Sequence, residues 1–374
     1  MKISWPQAAS AVVIVTLCSG LGARMAPHTQ TAIAVALISL PWFVARKRDT
    51  FSPLLVIAAG LFLAALYFAG GNRPLAIYLY LGLAPAAIIA GQHVRNSPNW
   101  LRLSVSAAVG LIQWPLILAQ ANNPALVADR VDAAQLSQSA GLSSSSYAGL
   151  RPVGNTVSPG LVVVILLAGL ALVLTMDGLT RRANVLRLGL LAGHGAAILL
   201  TGSRTGLSSL AVVVILVWRS RNGLRVVLSA GAAYLAYHLT SSAQRVTIST
   251  RLDIVRAALP TLRTHMPDGI GWGNTPKYVY TPIDGIIYHL HILPLHILFE
   301  LGVAGLLALG CILLQLYRTS RVALLVILPF ILLDAGTFID TRSLFFMLIL
   351  FACCASDRRQ RTETPSRRAV PALV

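Results

Sequence analysis

The sequence predicts an all-α, polytopic membrane protein, and three observations carry that prediction. Of 374 residues, 56% are hydrophobic and only 11% are charged. Apolar runs long enough to cross a bilayer recur from one end to the other. The basic residues gather in the gaps between those runs rather than within them. A helical span needs roughly 17 to 25 residues. On that basis about twelve spans fall near 8–23, 29–45, 53–70, 75–91, 101–120, 159–176, 185–201, 205–218, 224–239, 291–317, 321–336 and 341–356. Residues 1–356 form a single transmembrane domain, followed by a basic tail over 357–374.

The net charge of +18 is arranged as a topology signal, which argues against a nucleic-acid partner. With the N-terminus in the cytoplasm, the inner side takes Lys2, RKRD at 46–49, Arg95, Arg102, RRANVLR at 181–187 and RSRNGLR at 219–225. It also takes Arg318, Arg321 and the tail, so that 19 of the 30 Lys and Arg residues lie inside. The short outer loops hold four, Arg24, Arg73, Arg204 and Arg342. Both termini are therefore expected in the cytoplasm. The remaining seven, Arg130, Arg151, Arg245, Arg251, Arg256, Arg263 and Lys277, fall in two long outer loops that the rule does not constrain. The four cysteines, Cys18, Cys311, Cys353 and Cys354, all stand in apolar spans, so a structural role is expected for them. The first apolar segment is soon followed by a second, and it reads as an uncleaved first helix.

The first long loop, about 121–158, is rich in Ser and Gly and lacks apolar residues for a core of its own, so it reads as a mobile segment and a candidate lid. It ends on Arg151-Pro-Val-Gly-Asn, an arginine returned to the membrane surface that either snorkels or serves a ligand. The second, about 240–290, holds Leu252, Val255, Leu259 and Leu262 at helical spacing. That pattern predicts an amphipathic helix broken or bent near Pro260, with Arg251, Arg256 and Arg263 on its polar side. Those arginines either lie along the membrane surface or reach anionic lipid headgroups in a site. Gly269-Ile-Gly-Trp-Gly-Asn274 has the glycine spacing of a dinucleotide loop, yet no strand precedes it and no helix opens from it, so it reads as a tight turn.

Two segments carry candidate chemistry. In LLTGSRTGLSSL, Arg204 occupies a turn between apolar helices on the outer face, flanked by Gly202, Ser203, Thr205 and Gly206. A guanidinium with hydroxyls and backbone N–H groups around it is either an interfacial anchor or a diphosphate cradle. In YHLHILPLHILFELGVAGLLALG, His289, His291 and His296 lead into a span, with Glu300 and Gly302 beyond. Pro294 suits a first helical turn, which leaves His291 just outside the helix and facing water. His296 and Glu300, four apart on one face, read as a buried structural pair. His291 is then the candidate general base, since imidazole transfers protons near neutral pH.

These segments, in this order, resemble the bacterial O-antigen ligase and polymerase superfamily. The likeness rests on LLTGSRTGLSSL, TRLDIVRAALPTLRTHMPDGIGWGN, HLHILPLHILFELGVAGLLAL and the Arg151-Pro-Val-Gly segment, and covers roughly residues 145–310. It implies a GT-C-like membrane glycosyltransferase of the bacterial inner membrane with its site facing the periplasm, using an undecaprenyl-diphosphate-linked glycan as donor and needing no metal or cofactor. It also implies that Arg204 and Arg251 bind the diphosphate, with His291 as base; Arg151, Arg263 and Lys277 are possible supporting residues. The family usually has Asn after that histidine, where Ile292 stands here, and His289 is the nearest candidate to orient the imidazole instead.

The chemistry suits these residue types independently of the resemblance. Breaking an anomeric C–O bond expels a diphosphate, and a cationic donor that strengthens as charge develops contributes about 3 kcal/mol. The acceptor is either a lipid A-core sugar (ligase) or another lipid-linked repeat (O-antigen or exopolysaccharide polymerase). A lipid-linked glycan flippase or transporter is the alternative from another class; it would line both halves of the membrane with charge.

Overall fold

A computed structural model describes residues 4–18, 53–70, 91, 93–128, 152–156, 159–174, 176, 178–217, 242–281, 285–286, 290–319, 321–333 and 350. The helices are α1 (Trp5–Cys18), α2 (Pro53–Ala69), α3 (Asn99–Asn122), α4 (Ala125–Ala128), α5 (Pro159–Leu174), α6 (Arg181–Leu200), α7 (Arg204–Val217), α8 (Ser242–His265), α9 (Thr275–Tyr278), α10 (Leu293–Thr319) and α11 (Arg321–Leu333). Three of them, α3, α6 and α10, are long and apolar enough to cross a membrane by length and composition, as expected of a membrane protein. The predicted spans at 29–45 and 224–239, and nearly all of those at 75–91 and 341–356, lie outside the described residues. One departure from an all-α reading is a two-residue antiparallel ladder, β1 (Tyr280–Thr281) against β2 (Gly285–Ile286), pairing Tyr280 with Ile286.

One group of helices is built around α5. Its sequence is apolar on every side, and Leu161 to Leu167 are buried without exception, as are Leu170 to Val173. A helix with no polar face belongs in the middle of other helices, and α5 is enclosed by α3, α6 and α7. Small residues and a few hydrogen bonds set the approach. Ser106 Oγ donates to Gly169 O at 2.8 Å and lies 3.0 Å from His194 Nε2. Because the hydroxyl proton is committed to Gly169, Nε2 is the donor of that second bond. A Cβ on Gly169 would stand 2.7 Å from His194 Cε1, so the histidine fills the place of the missing side chain.

The end of α5 shows why charged residues lie at its border. The last carbonyls of a helix have no partner within it and carry partial negative charge. Buried Arg102 of α3 donates Nε and Nη2 to Leu172 O, at 3.0 and 2.7 Å. Arg187 of α6 donates to Val173 O at 3.0 Å and to Leu174 O at 3.2 Å. Spacing and charge led to these arginines being expected as inner-face markers; what the structure shows is a pair of caps on the end of α5. Next to it, the Thr180 side chain accepts from Ala183 N and starts α6.

The second group pairs α2 with α10, with α11 alongside; α7 packs against α11 and links the two groups. The expected single helix over α10 is in fact interrupted. Gly302 has φ 63° and ψ −163°, so the segments on either side are separate helices meeting at a break. That backbone region is essentially restricted to glycine.

Candidate functional site

The break in α10 exposes backbone groups in an apolar setting, and a buried unpaired group is costly. The glycine-rich turn after α8 satisfies them. Ile270 N–H donates to Phe299 O at 3.0 Å, Gly271 N–H to Glu300 O at 2.9 Å, and Val303 N–H returns to Pro267 O at 3.3 Å. Gly269, Gly271 and Gly273 all have positive φ, between 77° and 93°. A Cβ on Gly269 would collide with the Glu300 carbonyl. On its other side the turn meets the end of α2, where Trp272 N–H donates to Gly70 O at 3.2 Å and the indole packs edge-on to Phe62. The segment is thus a tight turn, wedged between α2 and the break in α10.

The Glu300 side chain completes the joint. Its Oε2 accepts from Gly273 N at 3.0 Å, and its Oε1 accepts from Thr275 N at 3.2 Å and Thr275 Oγ1 at 2.6 Å. His296 Nε2 lies 3.4 Å from Oε2, with both side chains essentially inaccessible to solvent. The contact is a charge–dipole approach rather than an aligned hydrogen bond, since Nε2 has no bond of good geometry. The other ring nitrogen, Nδ1, accepts from Leu290 N–H at 3.3 Å. A nitrogen that accepts carries no proton, so the ring proton sits on Nε2, toward the carboxylate. Pairing was expected for His296 and Glu300; the partners in the 269–275 turn and at Leu290 were not.

His291 stands outside the first turn of α10 and is half-buried, directly after the fully buried Leu290. Pro294 occupies the first turn of the helix. Ile292 is 38% exposed, and its carbonyl accepts from His296 N–H at 2.9 Å. His289 lies outside the described residues, as does Arg151.

Helix α8 corrects the expected register. It continues as one helix through Pro260 to His265, so the expected break is absent. The apolar face read from spacing was Leu252, Val255, Leu259 and Leu262; Leu252 and Leu259 are exposed in the structure, and Ile254 and Ala258 are the buried positions, with Leu262 packed beside them. The packed stripe is rotated by about one residue, roughly 100°. Arg251 lies within α8. Arg256 and Arg263 stay exposed, Arg256 bonding Asp253 at 3.1 Å, and α8 packs against α10. Lys277, in α9, is exposed.

Arg204 is the first residue of α7. The surrounding groups expected to cradle an anion are largely spoken for. Thr201 Oγ1 donates to Ile198 O at 2.7 Å and accepts from Ser203 N–H at 3.3 Å, and Ser203 Oγ accepts from Gly206 N–H at 3.3 Å. Ser203 is therefore an N-cap. The space at Gly206 is taken by helix packing, since a Cβ there would be 2.8 Å from Val163 Cγ1.

Near the same end of this group, the segment after Arg151 is fastened in a way the sequence did not reveal. Gln120 Oε1 accepts from Val153 N–H at 2.9 Å and Gly154 N–H at 2.8 Å, while its Nε2 donates to Gly154 O at 2.9 Å. Gln113 accepts from Asn155 N–H at 2.9 Å. The hint in the sequence was two glutamines within a predicted span. The expected loop over 121–158 thus begins with α3 running to Asn122, then α4, and ends pinned; 129–151 lie outside the described residues.

No protein-family model matches the chain, and no curated protein matches it.

Proposed function

We propose that the chain is a metal-independent glycosyltransferase that moves a glycan from undecaprenyl diphosphate to an acceptor hydroxyl at the periplasmic face of a bacterial inner membrane. The observation that carries this reading is the placement of His291. It is a half-buried imidazole just outside α10, the helix against which α8, the carrier of Arg251, packs. A polyprenyl donor presents its lipid in the membrane and its sugar in water, so its reacting bond lies at such a boundary.

In this mechanism His291 accepts the proton of the acceptor hydroxyl as that oxygen attacks the anomeric carbon. The anomeric C–O bond breaks, and the electron pair leaves with the diphosphate, whose growing charge Arg204 and Arg251 stabilise. The twelve-span topology, with both termini in the cytoplasm, puts Arg204, α8 and His291 on one side. The acceptor assigned is a lipid A-core sugar.

The test supplies purified protein with a lipid-diphosphate glycan and separate acceptors. His291→Ala is expected to lower transfer by roughly 100-fold or more, and Arg204→Ala by a similar factor. Full transfer by both variants would refute the mechanism. A lengthened lipid-linked chain in place of a single linkage to core would reassign the enzyme as a polymerase, and glycan translocation with no bond formed would make it a flippase.

A further inference from the structure

The His296–Glu300 pair has more partners than a structural ion pair needs. Glu300 takes three hydrogen bonds from Gly273 and Thr275, which fixes the 269–275 turn against the break in α10. His296 faces that carboxylate with Nε2 and holds Leu290 N–H with Nδ1. Leu290 is wholly buried and is covalently joined to His291. The chain of contacts therefore starts at the docked turn and ends one peptide bond from the proposed base.

We propose that His296 is a positioning residue for His291. Its Nδ1 fixes the Leu290 peptide, and Glu300 sets the imidazole's tautomer and orientation so that Nδ1 is the acceptor. The physical requirement is familiar from other sites, where the bond made by one ring nitrogen decides what the other can do. Here it operates through the backbone: Leu290 leads into the first turn of α10, and a free Leu290 amide would leave the following residue able to turn about its backbone dihedrals. The device also takes up the part that a polar neighbour of His291 would otherwise play, since the residue that follows is Ile292. This inference rests on the glycosyltransferase reading for its consequence in catalysis, but not for its geometry.

Two substitutions separate the roles of the two ring nitrogens. The amide oxygen of Asn occupies the δ position and keeps an acceptor for Leu290 N–H, while Gln carries its amide to the ε position, toward Glu300. In the full-length protein in nanodiscs, His296→Asn is expected to keep Leu290 amide exchange within about threefold of wild type. His296→Gln, although closer in size to His, is expected to speed it by roughly tenfold, the scale of one lost hydrogen bond. Carbethoxylation of His291 by diethyl pyrocarbonate, followed by peptide mass spectrometry, should change with Gln and not with Asn. In the transfer assay Gln should lower kcat by roughly tenfold with KM within about twofold, and Asn should restore most of it.

A role in packing alone predicts the opposite order, with Gln tolerated better than Asn, and either that order or equal Leu290 exchange in the two variants overturns the proposal. If wild-type protein transfers no glycan, the reading of the reaction fails, while the exchange and carbethoxylation rates still decide whether His296 positions His291.

Discussion

Gly302→Ala tests whether the break in α10 is imposed by docking of the 269–275 turn. At φ 63° and ψ −163° a Cβ costs about 1–3 kcal/mol in backbone strain alone. The same Cβ would overlap Pro267 O and come within 2.7 Å of Asp268 C, both backbone and neither able to swing aside. Relief comes by straightening α10, which returns Val303 N–H to an intrahelical partner. Phe299 O is then no longer available to Ile270, and the bonds of Gly271 to Glu300 O and of Val303 to Pro267 O go with it. Three bonds at about 1 kcal/mol net each give about 3 kcal/mol, or roughly 100-fold, for release of the turn. Hydrogen exchange in nanodiscs reads this directly at the amides of Ile270 and Gly271. Gly310→Ala, in the same helix but with open space where its Cβ would go, is the control and should be neutral or slightly stabilising. If the two amides in Gly302→Ala stay within about threefold of wild type, the turn does not depend on the break.

Other substitutions follow from the same geometry. Arg102→Met should lower stability by about 1.5–3 kcal/mol in thermal melts, and Arg187→Met by less because it is only half-buried. Gln120→Leu keeps an apolar surface but leaves two buried N–H groups unpaired, so proteolysis within 152–156 should become faster by roughly tenfold or more. The register of α8 is checked by Ile254→Ala, expected to cost about 2–4 kcal/mol, against Leu259→Ala, expected to cost under about 1 kcal/mol; the reverse order in melting temperatures would restore the stripe read from spacing.

Helix positions were largely legible because a run of apolar residues long enough to span a bilayer has few other uses. The expected spans near 53–70, 101–120 and 205–218 differ by only a few residues from α2, α3 and α7. Rotation about a helix axis was less legible. In α8 apolar residues lie on more than one face, so spacing alone did not distinguish Leu259 from Ile254 or Ala258 as the buried side. The break at Gly302 was invisible for a related reason: glycine is common in apolar helices, and what makes this one bend is a turn some thirty residues earlier in the chain. Of the candidate site, His291 outside the helix and the proximity of His296 to Glu300 follow from Pro294 and four-residue spacing. The capping of the 201–206 turn by its own hydroxyls does not, because Ser and Thr near an arginine suit a helix cap and an anion site equally well.

The two-arginine cap on α5 bears on the order in which the protein is assembled. Arg102 precedes Leu172 by 70 residues, so it has already been synthesised when α5 emerges. Arg187 follows Val173 by only 14 residues and arrives at the start of the next helix. The end of α5 can therefore draw one cationic donor from a helix already synthesised and receive the second as soon as α6 begins, so its C-terminal carbonyls need not wait for the rest of the chain. A helix apolar on every side has no polar face of its own to set its position, and these two guanidiniums, from two neighbouring helices, fix where its end sits.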